Sequence, residues 1–408
     1  MTTTFARRSA ALLACAAFGF ATSAFAQDKT AKIGVLTDMS SLYADINGPG
    51  AVVAIKMAVE DSGLLAKGWK IDVLSGDHQN KPDVGVNLAR QWIDTEKVDV
   101  ISDTPNSGVA LAVSNLVKEK NAILLNSGAA SADLTGKACN ANTISYTYDT
   151  YMLANGTGKA LTKAGGDSWF FLTADYAFGA ALERDTTAVV TANGGKVLGG
   201  VKHPLNTSDF SSFLLQAQNS KAKIIGLANA GGDTTNSIKQ ASEFGIVEGG
   251  QKLAALLLFI NDVHSLGLKT AHGLTFTESF YWDLNEGTRA FAKRFQDKAA
   301  NKAKPSMTQA GNYAAVLHYL KALDALGGNP HDGAKVVAKM KELPTDDPLF
   351  GKGPLRADGR RIIPAYLFEV KKPEESKGPW DYYKLIATIP AEDAAKPLKD
   401  SECPLVKK

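Results

Sequence analysis

The residues of this 408-residue chain that carry polar chemistry cluster in short loops. Ser40 to Asn47 brings together two hydroxyls, the phenol of Tyr43 and an amide. Ser107 stands in the loop 102–108, and Asn126-Ser127-Gly128-Ala129-Ala130-Ser131 is a third polar loop. Asp175-Tyr176, Gly231-Gly232-Asp233 and Asn261-Asp262 make three more. Such groups donate and accept hydrogen bonds, but none is a nucleophile beside its base. There is no GxSxG, no SxxK with its partners and no cysteine–histidine pattern. The six histidines, 78, 203, 264, 272, 318 and 331, show no HxxxH spacing, so no metal site is expected. Gly48-Pro49-Gly50 reads as a turn and lacks the GxGxxG or GK[ST] context of a phosphate loop, so no cofactor is expected either. The chemistry these residues suit is reversible capture of a small solute; the chain is not read as an enzyme.

The elements that must position these loops alternate regularly. Ile33, Val35 and Leu36 form a short uncharged strand fit for burial on both faces, and Ala51, Ile55, Ala58 and Val59 recur at helical spacing behind the loop that follows. Strands at 69–74, 98–101 and 122–125 alternate with helices at 82–95 and 109–119. After an aromatic stretch, Tyr146 to Tyr151, a second series begins. It has strands at 168–172, 197–201, 222–227, 253–260 and 273–277 and helices at 180–193, 210–219 and 234–244. Helical runs follow at 286–300, 307–326 and 332–343. Beyond Pro344 the glycines and prolines break helices, and 362–370 with 382–389 read as an antiparallel pair. This is an α/β chain with two doubly wound lobes. In such sheets ligands sit at the carboxyl ends of the strands, where the polar loops lie.

Bulk composition narrows the classes. The chain is 45% hydrophobic and 21% charged with a formal charge of +3, and no basic field argues for nucleic acid. Residues 1–26 read as a secretory signal peptide. Arg7-Arg8 is its charged start, residues 9–23 its apolar core and Ala24-Phe25-Ala26 its cleavage site. Removing those two arginines leaves a charge near +1. Leu12-Leu13-Ala14-Cys15 is an alternative lipoprotein box, but it sits too close to the arginines to leave an apolar core before it. A periplasmic location follows. Two cysteines then remain, Cys139 and Cys403, and an exported pair in polar sequence is expected to be bridged.

These residues resemble a family, the type I periplasmic solute-binding proteins of ABC importers, in the Leu/Ile/Val-binding branch. The resemblance is carried by Ile33-Gly34-Val35-Leu36-Thr37-Asp38 with Tyr43-Ala44-Asp45, by Met57-Ala58-Val59-Glu60-Asp61, and by Asn126 to Thr135. Asp175-Tyr176-Ala177-Phe178-Gly179 and Asn312-Tyr313-Ala314-Ala315 extend it across the chain. It implies a three-segment hinge joining the lobes. Lobe 1 is then 30–147 plus 278–352, and lobe 2 is 148–277 plus 353–408. It implies a monomer that clamps a small carboxylate-bearing ligand between the lobes and delivers it to ABC permease membrane subunits. The same fold also serves periplasmic sensors for membrane receptors; an exported hydrolase is the remaining alternative.

Carried over residue by residue, the resemblance assigns the ligand carboxylate to Asn126, Ser127, Gly128, Ala129 and Ala130, with Ser107 from the preceding loop. Backbone N–H groups at helix starts make anion sites without a lysine. The aromatic that family members place near an ammonium group maps to Tyr176 or Tyr151, and the acid to Asn261 or Asp262, where no glutamate stands. Gly231-Gly232-Asp233 likewise lacks a tyrosine frequent in that loop. Tyr43 is a candidate binder or a surface aromatic. Asp175 fits a ligand contact or a helix cap, Asp233 an ammonium partner or a cap, and Trp282 a cleft wall or core. With Phe259 and Phe280 these aromatics suit a flat or apolar body. The expected ligand is therefore a small organic acid, aromatic or short aliphatic, ahead of a branched-chain amino acid.

Overall fold

The computed structural model describes residues 1–2 and 28–407; the expected signal peptide lies almost wholly outside them. Five parallel strands make the first sheet: β1 (Thr30–Thr37), β2 (Lys70–Asp77), β3 (Val100–Asp103), β4 (Ile123–Asn126) and β5 (Thr143–Ser145). Their order is β2-β1-β3-β4-β5, so the direction of winding reverses beside β1 and β3. The second sheet contains β6 (Ser168–Ala174), β7 (Lys196–His203), β8 (Ile224–Ala228), β9 (Lys252–Ala255) and β10 (Thr275–Glu278). A short antiparallel hairpin, β11 (Thr345–Asp347) and β12 (Gly351–Gly353), precedes β13 (Ala365–Val370) and β14 (Tyr383–Ile389). The second sheet's order is β14-β13-β10-β9-β8-β6-β7, with β13 alone antiparallel to its neighbours β10 and β14. The expected α/β architecture of two parallel-sheet lobes is what the chain forms.

Several elements differ from the sequence reading. Gly48-Pro49-Gly50 is no turn. It is the first turn of the helix Gly48–Asp61, with Pro49 in a position where its missing N–H costs nothing. β5 is only three residues long and carries too little pattern to be seen in sequence. β9 ends at Ala255, not near 260. The apolar run Leu256 to Phe259 leaves the sheet, and Ile260–Leu266 is a helix.

Between the sheets the chain passes three times: after β5, after β10, and from β12 to β13. Two of these passes lie side by side, where the Ser145 N–H donates to Gly359 O at 3.0 Å and the Arg361 N–H to Ser145 O at 3.0 Å. The buried arginines there are paired: Arg360 Nε donates to Asp149 at 2.9 Å and Arg361 Nη2 to Asp347 at 2.7 Å. The helices that follow β10 pack on the first sheet. The longest, Met307–Leu326, is buried over most of its circumference and lies along Gly48–Asp61. Cys139 and Cys403 are joined by the expected disulfide. Among the described residues no helix is long and apolar enough to cross a membrane.

Candidate ligand cleft between the lobes

The first-lobe wall is backbone fixed by buried side chains. Asp38, at the end of β1, accepts from the Ser41 and Tyr43 N–H groups, both at 2.9 Å, and from the Ser41 hydroxyl at 2.7 Å. One carboxylate thereby folds the loop that carries Tyr43 inward. The long helix anchors the same loop from behind. Ser306 and Thr308 hydroxyls donate to Ile46 O, and Gln309 Nε2 donates to Asn47 O. Asn126, at the end of β4, spends its amide on its own loop. Its Oδ1 accepts from Ala129 N–H at 2.9 Å and its Nδ2 donates to Ala129 O at 2.7 Å. The Tyr148 hydroxyl donates to Gly128 O at 2.7 Å. Gly128 is needed here: a Cβ would stand 2.7 Å from Pro105 Cα and 2.9 Å from both Asp103 Oδ1 and Asn47 Nδ2.

The second-lobe wall is apolar. Tyr176 and Phe178 begin the helix Ala177–Ala192, Ala230 follows β8, and Leu257 and Phe259 come from the run that leaves β9. Asp262 accepts from the Phe259 N–H at 2.9 Å and so starts the helix Ile260–Leu266. The phenols of Tyr43 and Tyr176 meet at 2.6 Å across the gap. Beside them Gly231, at φ +58°, comes so close that a Cβ would lie 2.6 Å from Leu42 O. The walls meet closely, leaving a cavity of only about 10 Å³ between them, and Ile46, Asn47, Pro105, Ala130 and Tyr148 complete its lining. None of the lining side chains carries a formal charge.

Acids nevertheless stand around it, and burial holds them toward neutrality. The carboxyls of Asp103 and Asp233 are pushed up to about 6 and that of Asp262 to about 7, in each case chiefly by desolvation. Glu278, whose Oε1 accepts from the Tyr383 hydroxyl, is raised well above the usual carboxylate range for the same reason. Burial likewise raises the Tyr43 and Tyr176 phenols, so both stay protonated.

Of the residues singled out from sequence, Tyr43, Gly128, Ala130 and Tyr176 line this space, as does Phe259. Ser107 and Asn126 are buried beneath the wall and hold its loops; Ser107 Oγ accepts from Ser131 N–H at 3.2 Å. Ser127 has a buried hydroxyl without a partner, and Ala129 is packed in a small apolar cluster. The others lie elsewhere. Tyr151 lines a surface hollow with Arg184 and Lys396, and Asp175 is exposed and paired with Lys202. Asp233 accepts from the Asn206 and Thr207 N–H groups at 3.1 and 2.8 Å, fixing the loop after β7. Asn261 sits in the first turn of its helix, outside the lining. The Trp282 indole donates to Trp380 O at 2.8 Å beneath the Lys304 ammonium, and Phe280 is core. Ile46 and Asn47 belong to the Ser40–Asn47 loop, where the sequence places ligand contact, whereas Pro105, Tyr148, Phe178, Ala230 and Leu257 are lining residues that the sequence reading did not assign. The strand-end rule points to three of them, Pro105, Ala230 and Leu257, which follow β3, β8 and β9 directly.

Comparison with known proteins bears on the family and the fold. A periplasmic binding protein from Burkholderia mallei is 53% identical, with a TM-score of 0.90 over 93% of this chain and 100% of that one. A branched chain amino acid ABC transporter periplasmic ligand-binding protein from Burkholderia xenovorans LB400 is 41% identical, with a TM-score of 0.81 over 92% of this chain and 100% of that one. Leu/Ile/Val-binding protein homolog 6 of Brucella abortus (strain 2308) is 25% identical over 379 residues, 90% of this chain and 93% of its own length. Residues 30–378 match the profile of the family described as periplasmic binding protein. With that match spanning most of its length, the chain belongs to the periplasmic binding protein family.

Proposed function

We propose that this chain is the solute-capturing component of an ABC import system. It takes one small carboxylate-bearing solute from the periplasm, holds it without chemistry and hands it to membrane permease subunits. The moving bodies are residues 30–147 with 278–352 and residues 148–277 with 353–408, and the ligand is enclosed as they close about the three connecting segments. The chain acts as a monomer.

The observation that carries the reading is the cleft itself: five aromatic rings and no charged side chain around a space closed by the Tyr43–Tyr176 contact. Such a slot suits a flat or apolar body. The carboxylate is received by the Ser127–Ala130 loop, where the Ser127 hydroxyl is unpartnered. An ammonium group would need a countercharge, since a buried unpaired cation costs several kcal/mol. Asp233 and Asp262 are committed to backbone N–H groups and are held toward neutrality, and Asp175 faces solvent. The preferred ligand is therefore an aromatic or short aliphatic acid, ahead of a branched-chain amino acid.

Thermal-shift and calorimetric titration of benzoate-like acids, short aliphatic acids and leucine, isoleucine and valine tests this. A ligand raises the melting temperature by mass action. Plain acids are expected to bind and return unchanged. Micromolar leucine binding with no response to the acids would overturn the ligand class, and turnover of any of them would overturn the non-enzymatic reading.

A further inference from the structure

We propose that the C-terminal tail is a fourth connection between the lobes, a strap fastened by the Cys139–Cys403 bond that limits how far the cleft opens. The tail leaves β14 at the edge of the second sheet. The helical turn Ala391–Ala394 packs on residues 154–158, and Asn155 Nδ2 donates to Asp393 O at 2.5 Å. That segment is held to the second sheet, where the Thr157 and Thr277 hydroxyls meet at 2.8 Å. Just beyond it the tail changes sides. Lys396 O accepts from Arg356 Nη1 at 2.8 Å. Arg356 O accepts in turn from the Gly359 N–H at 3.0 Å, and Gly359 is pressed on β5. A Cβ there would lie 2.5 Å from Thr143 O. Cys403 ends on the same lobe. Its partner Cys139 stands in the loop before β5, which Asn140 ties to the helix Ser107–Lys120 by donating to Ser114 Oγ at 2.8 Å.

Only Ala394 and Ala395 lie between the two hydrogen-bonded anchors, so Asp393 and Lys396 can stand no more than about 11 Å apart. A single hydrogen bond yields when the lobes pull; the disulfide does not. It keeps the tail beside Arg356 after that bond breaks, so the strap re-docks as an intramolecular event at high effective concentration. Both half-cystines are buried. The strap also runs beside a direct contact between the lobes. Lys396 and Glu402, paired at 3.2 Å, line one hollow with Asp133 of the first lobe and Arg184 of the second, themselves paired at 3.1 Å. First lobe, second lobe and strap therefore meet at one place while the cleft walls are together. This reassigns residues 396–407 from the second moving body to the first, and it holds whatever solute the cleft takes.

The experiment slackens the strap without cutting it. About eight Gly and Ser residues, a flexible coil, are inserted between Ala395 and Lys396, and mass spectrometry of the non-reduced chain verifies that Cys139–Cys403 still forms. The same insert in the exposed turn between Gly249 and Gly250 controls for the added residues, and a Cys139→Ser/Cys403→Ser chain unfastens the strap. Small-angle scattering of each chain, free of added solute, reads the opening. The slackened and the unfastened chains are expected to shift to a larger radius of gyration than the parent and the control. A slackened chain that matches the control overturns the strap. So does a larger radius in the unfastened chain alone, because the bond would then act by general stabilisation and not by limiting travel. If the double-serine chain does not fold, the slackened chain decides it, since its disulfide is intact.

Discussion

The first-lobe wall of the cleft is backbone held in place by side chains; the second-lobe wall is side chains held out by short helical starts. Asp38, Asn126 and Gln309 are spent on N–H and C=O groups of the first wall. Tyr176, Phe178, Leu257 and Phe259 present rings and methyls from the second. The two walls divide the labour of binding. A backbone wall gives donors at fixed positions and tolerates little change, because each N–H is set by several buried contacts. A side-chain wall is set by volume and tolerates substitutions that conserve it.

The sharpest break comes from Gly128→Val. The added atoms meet Pro105, Asp103 and Asn47 and push the loop out of register. Loss of two charge-assisted hydrogen bonds is expected to weaken a bound acid at least a thousandfold, about 4 kcal/mol, in a titration at fixed pH. Retained affinity would mean the first wall is not the anchor.

Whether the second wall is as apolar at working pH as it is in outline depends on Asp262. Its carboxyl is held up to about 7, whereas in an unfolded chain an aspartate titrates near 3.9. Between those values the folded protein holds the extra proton, so this group makes stability fall as pH rises from about 4 to about 7, and adds nothing further above that. Asp262→Asn keeps an acceptor for the Phe259 N–H and removes the titration. Its stability relative to the parent should rise across the same window by about 4 kcal/mol and then level off, measured by chemical denaturation. A difference that does not depend on pH would show that Asp262 is not held near neutrality.

The smallest effect is expected where the walls touch. Tyr176→Phe removes one phenol from the Tyr43 contact, and about 1 kcal/mol for a neutral hydrogen bond predicts a several-fold faster ligand release in stopped-flow measurements. An unchanged release rate would mean that this contact does not hold the closed state.

The alternation of strands and helices was legible because buried parallel strands are short uncharged runs between amphipathic helices. β5 was not, since Thr143-Ile144-Ser145 is three residues with one apolar side chain. The end of β9 was not either. Lys252 onward reads as one apolar run, and nothing in Leu256 to Phe259 says that the hydrogen bonds stop and the side chains turn into a cleft. The site was legible at the level of loops and less so at the level of residues. Asn126 and Asp233 are the types that touch ligands, but the same donors and acceptors satisfy backbone. Only coordinates show that Asn126 is bonded to Ala129 and Asp233 to Asn206 and Thr207. Asn47 ends the Ser40–Asn47 loop, where the sequence places ligand contact, and only the fold shows that Asp103, distant in sequence, takes its amide N–H.

The Cys139–Cys403 bridge joins residues 264 positions apart. Every strand of the second sheet lies between them. The ribosome must therefore deliver that whole sheet before the second sulfur exists to be oxidised. A chain released early keeps Cys139 as a free thiol beside β5, open to capture by another thiol. The bond thus acts as a mark of completed synthesis: oxidised molecules are those in which both walls of the cleft have been made.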